Sequence, residues 1–422
     1  MLAHESANLD ERGLEAARTR TRWVLFVGVA LGSTGYIAAG TVASIVGQDL
    51  LGSAALAGAP GAAVVFGAAV GAVVLSWVMS RRGRRTGLTT GYIAAAAGAL
   101  VATLAVVLRS FPLLILGTFV IGFGNSSGNL SRYAAADMAA PARRAVAIGL
   151  VVWGSTVGGI VGPWLVPIAG DLAPKIGLPP LAGPYVVPMI FVTIAAAMSF
   201  FFLRPDPFAL AHESNIQGAT DAPLVPVREI LLRPAVFAAI AALVAGQATM
   251  VLIMTMTPLH LTDHNHGLAA VGFVISGHVA GMFALAPISG WISQRIGTFR
   301  TIFLGTGVLM TGSLLAALAP PERDEMLFIA LFLLGWGWNL GFVAGSAMLS
   351  SSVELAQRAR VQGVADAVIW TTSAVASLGS GAVVAAAGFS TLGLLGVAIV
   401  LAPVWLLLSR RHDFVVAAAP AP

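Results

Sequence analysis

The chain has 422 residues, 58% of them hydrophobic and only 10% charged, so water cannot be its only solvent. Its net charge of +5 does not point to nucleic acid, because the arginines sit in short segments between apolar runs rather than along one soluble face. Cysteine is absent, which excludes disulfides and thiolate metal sites and leaves thioether and imidazole as the only soft ligands.

In chain order, residues 1–22 form a polar tail with no short apolar region and cleavage site, so no removable signal peptide is expected. Twelve apolar runs follow, at 23–48, 54–79, 87–108, 112–135, 142–168, 184–204, 234–261, 267–293, 298–319, 325–350, 358–386 and 389–409. Each is long enough to cross a hydrocarbon core of about 30 Å. The fold class expected is therefore an all-α integral membrane protein with twelve transmembrane helices. A polar linker at 205–233 separates a six-helix bundle at 23–204 from another at 234–409, and a short tail occupies 410–422. With the N-terminus inside, 20 of the 23 Lys and Arg residues fall on the cytoplasmic side and only Arg109, Lys175 and Arg323 outside. Both termini are expected in the cytoplasm, in a bacterial inner membrane.

The motifs follow the same order. Tyr36 lies in the first span, and the loop SRRGRRTGL after the second carries Arg81, Gly83, Arg84 and Arg85. The fourth span contains IGFGNSSGN, with glycines at 122, 124 and 128 and the amides Asn125 and Asn129; the fifth contains Trp153 and GSTVGGIVGP. In the seventh, Gln247 precedes MVLIMTMTPLH, where Met250 and Met254 share one helix face and Met256 pairs with His260. The next loop, HLTDHNHG, adds His264 and His266 as candidates for metal capture at the outer rim. The eighth span runs back through ISGHVAGM, placing His278 and Met282 four apart and His278 level with Met250, each about 16 Å below the outer end. The loop SQRIGTFRT holds Arg295, Gly297 and Arg300, and Gly290 precedes it. LGWGWNLGF in the tenth span brings Trp336, Trp338, Asn339 and glycines at 335, 337 and 341, and Trp370 lies in the eleventh.

The glycine triplets are offset by 213 residues and the arginine loops by 214, so the two halves repeat. Two repeated bundles around a midplane site describe a secondary transporter working by alternating access. On these motifs the chain resembles the major facilitator superfamily over essentially its whole length. Its loop signature, G-x-x-x-D-R-x-G-R-R, is matched by Gly290, Arg295, Gly297 and Arg300, with Gln294 at the acid. In the first half Ser76 and Ser80 replace glycine and aspartate. The resemblance makes these loops a candidate cytoplasmic gate; orientation by topology explains the same arginines. Tyr36, Asn125, Asn129, Trp153, Gln247, Trp336, Asn339 and Trp370 are candidates for the cavity wall.

The paired motifs MVLIM and HVAGM look like those of the CcoA-like copper importers within that superfamily. The resemblance implies that Met250, Met254, His278 and Met282 bind copper during transport, Cu(I) being the form that thioethers and imidazole select. Methionine packing in an apolar helix is the alternative for the sulfurs, whereas a histidine within a span marks a functional site by default. Three readings stay open: a copper importer, a proton-linked transporter of a small organic solute such as a drug or riboflavin, and a non-transporting metal sensor. No enzyme, permanently bound cofactor or nucleic-acid partner is expected. The partners expected are the bilayer, copper or a small molecule, and protons, with the chain a monomer.

Overall fold

The computed structural model describes residues 11–51, 58–214, 225–264, 268–320 and 323–409. Among them there is no strand, and each of the twelve expected spans falls on a helix over its described residues, apart from one or two at some ends: α1 (Glu11–Leu51), α2 (Ala59–Arg82), α3 (Arg84–Val107), α4 (Phe111–Asp137), α5 (Arg144–Leu172), α6 (Gly183–Phe202), α7 (Pro234–Asp263), α8 (Leu268–Ile296, interrupted), α9 (Thr298–Leu318), α10 (Asp324–Ser351), α11 (Leu355–Ala387) and α12 (Phe389–Ser409). Ten are long and apolar enough to span a bilayer, and the two bent parts of α8 make an eleventh; α12 has its apolar stretch at Phe389–Pro403.

The break in α8 has a local cause. A π-helical turn at Ala280–Ala284 inserts an extra residue, and Pro287, which has no amide proton, follows directly. The axis bends by 44° there. Asn339 on α10 donates its side-chain amide to the Met282 carbonyl at 2.7 Å, giving that irregular turn a partner.

Two glycines of the repeated loops reverse the chain. Gly83 between α2 and α3 and Gly297 between α8 and α9 have φ of 86° and 88°, a region open to glycine and costly for residues with a Cβ. Each also ends the preceding helix, donating to the Met79 and Ser293 carbonyls respectively.

The chain forms two compact units. The first comprises residues up to 140, 150–223 and 355–371, so the first half of α11 packs with helices of the first repeat. The second comprises 141–149, 224–354 and the residues from 372 onward. The core of the first unit includes Val42, Val46, Ala99, Ala102, Leu114, Ile121 and Tyr185; that of the second includes Ala238, Ala242, Ile302 and Ala344. Small residues dominate because in lipid helices gain by close backbone approach rather than by apolar burial alone.

Candidate functional site

The repeated glycine triplets divide into packing and open positions. A Cβ on Gly122 would strike the α2 backbone at Val64 and Ala68, and one on Gly335 would strike the α8 backbone at His278 and Met282. A Cβ on Gly337 would strike the α9 backbone at Leu309, and one on Gly124 would meet the Ala95 side chain. The third pair differs: a Cβ on Gly128 or on Gly341 would touch nothing within 4 Å. These two glycines lie on open helix faces, one in each unit.

In the first unit the open face of α4 is polar. Asn125, Gly128, Asn129 and Arg132 follow one another at helical spacing on it. Asn129 donates to the Asn125 carbonyl and side-chain oxygen at 2.9 and 3.1 Å, and Arg132 donates to the Asn129 carbonyl at 2.6 Å. The guanidinium then ends on Asp366 of α11, with contacts of 2.6 and 3.2 Å, and also reaches the Tyr133 hydroxyl at 3.0 Å. Arg132 and Asp366 are both buried. The Asn125 side-chain nitrogen is buried with no partner among the described residues.

In the second unit the corresponding face of α10 is aromatic. Trp338 and Phe342 stack at 4.5 Å with 20° between their planes, and Phe283 meets Trp338 edge-on at 6.0 Å. Trp338 donates to Gln247 at 2.8 Å, and Gln247 donates to Ser373 at 2.8 Å. A narrow crevice beside them is lined by Gly246, Leu309, Gly337, Trp338, Gly341 and Phe342.

The candidate soft-ligand residues all fall in the second unit. His278 is fully buried at the crossing of α8 and α10, where Nδ1 lies 2.9 Å from the Leu331 carbonyl. A carbonyl only accepts, so Nδ1 carries the proton and Nε2 is left as an acceptor; Nε2 is buried with no partner among the described residues. Met250 is buried, Met254 half-buried, and Met282 sits within the π-helical turn. At the end of α7, His260 stacks on Phe389 at 4.1 Å and packs against His264 at 4.5 Å, while Met256 is half-buried. His266 lies outside the described residues.

Of the other cavity candidates, Tyr36, Trp336 and Trp370 are half-buried. Trp153 is exposed and touches Phe26. Asn339 is fully buried, its amide committed to the Met282 carbonyl.

The candidate gate residues serve different ends. Arg81 lies over Trp77 at 4.2 Å and Arg295 over Trp291 at 5.3 Å, each stacked on the residue one turn earlier, and Arg300 is exposed. Gly290 allows the start of α5 to approach at Ala145 and Val146. Arg84 is buried and donates to Asp137 at 2.7 and 3.0 Å and to Gln362 at 2.5 Å. Asp137 also accepts from Arg358 at 3.2 Å. The acid missing at Ser80 has a substitute in Asp206, beyond α6. It accepts from the backbone N–H groups of Arg84, Arg85 and Phe208 at 3.2, 2.9 and 2.8 Å. Burial pushes the Asp206 carboxyl up, against those three N–H groups and the charge of Arg84. Sequence reading assigned Arg132 and Arg358 to topology and did not pair them with Asp366 and Asp137. The available signal was Asp366 itself, a carboxylate within an apolar run.

The Major Facilitator Superfamily model matches residues 24–322 and 238–420. The chain belongs to that superfamily. It is 35% identical over 383 residues to the Uncharacterized MFS-type transporter YdeG of Bacillus subtilis, covering 89% of this chain and 88% of that protein. It is 31% identical over 402 residues to the Riboflavin transporter RfnT of Brucella anthropi, covering 94% and 97%. Among solved structures it matches the human organic anion transporter MFSD10 with a TM-score of 0.71 at 17% identity, over 92% of this chain and 99% of that one. This superfamily member is thus a multi-pass secondary transporter.

Proposed function

We propose that this transporter carries a small organic solute that has a planar ring system and polar groups, in a bacterial inner membrane with the arginine-rich helix ends in the cytoplasm. The observation that carries this reading is the contrast between the open faces of α4 and α10. One supplies amides and a guanidinium, and the other supplies stacked rings braced by Gln247. Taken separately, these match the two kinds of group on such a solute, because aromatic faces favour planar partners and amides favour donors and acceptors. The near full-length likeness to a riboflavin transporter supports the same class.

Riboflavin is the first probe. The purified chain, reconstituted in liposomes, is expected to take it up, and Trp338→Ala to weaken binding about tenfold, equivalent to about 1.4 kcal/mol. Flavin fluorescence reads the binding directly. Unchanged riboflavin affinity in the variant would overturn the role of the aromatic face.

A second reading, copper import, has its own observation: the buried His278 ring, whose Nδ1–H is held by a carbonyl while Nε2 remains an acceptor. That is the tautomer a metal-ligating imidazole uses, and Met282 stands one turn away. Radiolabelled copper uptake by the reconstituted chain, lost in His278→Ala, would favour this reading; uptake of riboflavin but not copper would remove it.

A further inference from the structure

The two amides on the open face of α4 hold each other in one orientation. The Asn125 backbone carbonyl only accepts, so the atom of Asn129 that lies 2.9 Å from it is the side-chain nitrogen. That nitrogen also faces the Asn125 side-chain oxygen at 3.1 Å, which orients the second amide in turn. One group of each kind is left over. Asn129 keeps its side-chain oxygen as an acceptor, and Asn125 keeps its side-chain nitrogen, a donor that is buried and meets no acceptor among the described residues.

Helix packing does not account for this pair. The neighbouring Ser126 and Ser127 give their hydroxyls to the Ala68 carbonyl of α2 and the Leu88 carbonyl of α3, at 2.6 and 3.1 Å, whereas the two amides bond within α4. The equivalent positions of the other repeat hold Trp338 and Phe342. A buried donor without an acceptor is costly, and a solute that supplies the acceptor recovers that cost. Gly128 has open space where a Cβ would stand, so a flat ring can approach the backbone beside the amides. Arg132, next along the face, is committed to Asp366. The groups that the two amides offer are uncharged.

We propose that Asn125 and Asn129 recognise the edge of a ring amide in the solute, a carbonyl beside an N–H, as in a cyclic imide or lactam. The Asn125 nitrogen donates to the carbonyl, and the Asn129 oxygen accepts from the ring N–H. An open-chain amide is trans and carries these two groups on opposite sides, whereas a small ring holds them on one edge, where neighbouring side chains of one helix reach both. A carboxylate fits worse, because it offers acceptors only and sets one of them against the Asn129 oxygen. The inference rests on the reading of a planar, polar solute and narrows it to one functional group.

The test uses a matched pair of probes. Riboflavin carries an imide N–H between two ring carbonyls, and its derivative methylated at that nitrogen lacks the N–H. Binding of each to the full-length chain in lipid nanodiscs is read by flavin fluorescence. The wild type is expected to bind the methylated flavin at least about tenfold more weakly, since the Asn129 oxygen is then left unmet. Asn129→Leu, which removes the acceptor but keeps the bulk, should bring the two flavins to within about twofold of each other. Asn125→Leu should weaken both flavins and keep the preference between them. Equal affinity of the two flavins for the wild type overturns the proposal and leaves the planar-solute reading standing; this comparison needs no variant to fold. A preference that survives Asn129→Leu also overturns it, because the methyl group then acts by bulk alone. Binding of neither flavin overturns the flavin reading, and the proposal with it.

Discussion

Helices α4 and α10 are the same element of the repeat, yet they present opposite chemistry. Both use glycine for the crossings at 122 and 335, and both leave glycine open at 128 and 341. Around the open glycine, however, α4 places Asn125, Asn129 and Arg132 where α10 places Trp338, Phe342 and Gly345. Of the shared positions, those at 122 and 335 are where backbone meets backbone. The divergent positions flank the open glycine, and Arg132, Trp338 and Phe342 among them are buried, so the difference lies in the partners each side chain meets. The same contrast recurs where each repeat lends a segment to the other unit. Arg358 reaches a carboxylate, Asp137, whereas its equivalent Arg144 reaches the Ser350 carbonyl and the Ser351 hydroxyl, at 3.4 and 2.9 Å. Ser350 stands at the position equivalent to Asp137. The first of these contacts is an ion pair.

The largest break in this contrast is expected from Arg132→Ala, which strands Asp366 as a buried, uncompensated charge and should cost about 3–5 kcal/mol. Thermal unfolding in detergent measures it. The double variant Arg132→Met with Asp366→Leu should recover most of that loss, because neither charge is then left behind. A double variant as unstable as the single one would show that packing, not charge, is responsible.

An intermediate effect separates the two crossings. Arg358→Ala removes one of two cations from Asp137, and Arg144→Ala removes hydrogen bonds to neutral groups, which are worth about 1 kcal/mol each. The first should lower stability by at least about 1 kcal/mol more than the second, since charge-assisted bonds are the stronger. Equal losses would mean that the ionic crossing adds nothing.

The smallest effect is assigned to Asp206, which has no acidic equivalent on the other side and caps the start of α3. Asp206→Asn should cost about 1 kcal/mol, in the range of a lost helix cap. The pH dependence has a defined sign. Burial raises the carboxyl in the folded chain, so folding binds that proton more tightly, and this group adds stability as pH falls through the raised value toward about 4. Acid should therefore widen the advantage of the wild type over Asp206→Asn, read as the difference in their melting temperatures.

Much of the fold was legible because its determinants are local. Apolar runs of bilayer length, the offset glycine triplets and the paired arginine loops each carry their meaning within a few residues, and each of the twelve runs falls on a helix over its described residues, apart from one or two at some ends. The site was legible only in part. Gln247, Asn125 and Asn129 stood out as polar residues in spans, but nothing local showed that Gln247 is held by Trp338 and Ser373, or that Asn129 leads to Arg132. Arg132 and Arg358 read as orientation markers, because topology demands arginines at those helix ends whether or not they have partners. The aspartate absent from the first loop was replaced from beyond α6, 123 residues after Gly83, where no loop signature could register it.

The sequence by itself determined the solvent, the twelve helices and their repetition, because hydrophobic length and glycine spacing act through the chain's own backbone. Only the tertiary structure decided which glycines were crossings and which were open, and which arginine met which carboxylate. Those outcomes depend on partners 53 to 234 residues apart in the chain, and a buried charge becomes interpretable only when the group that neutralises it is known.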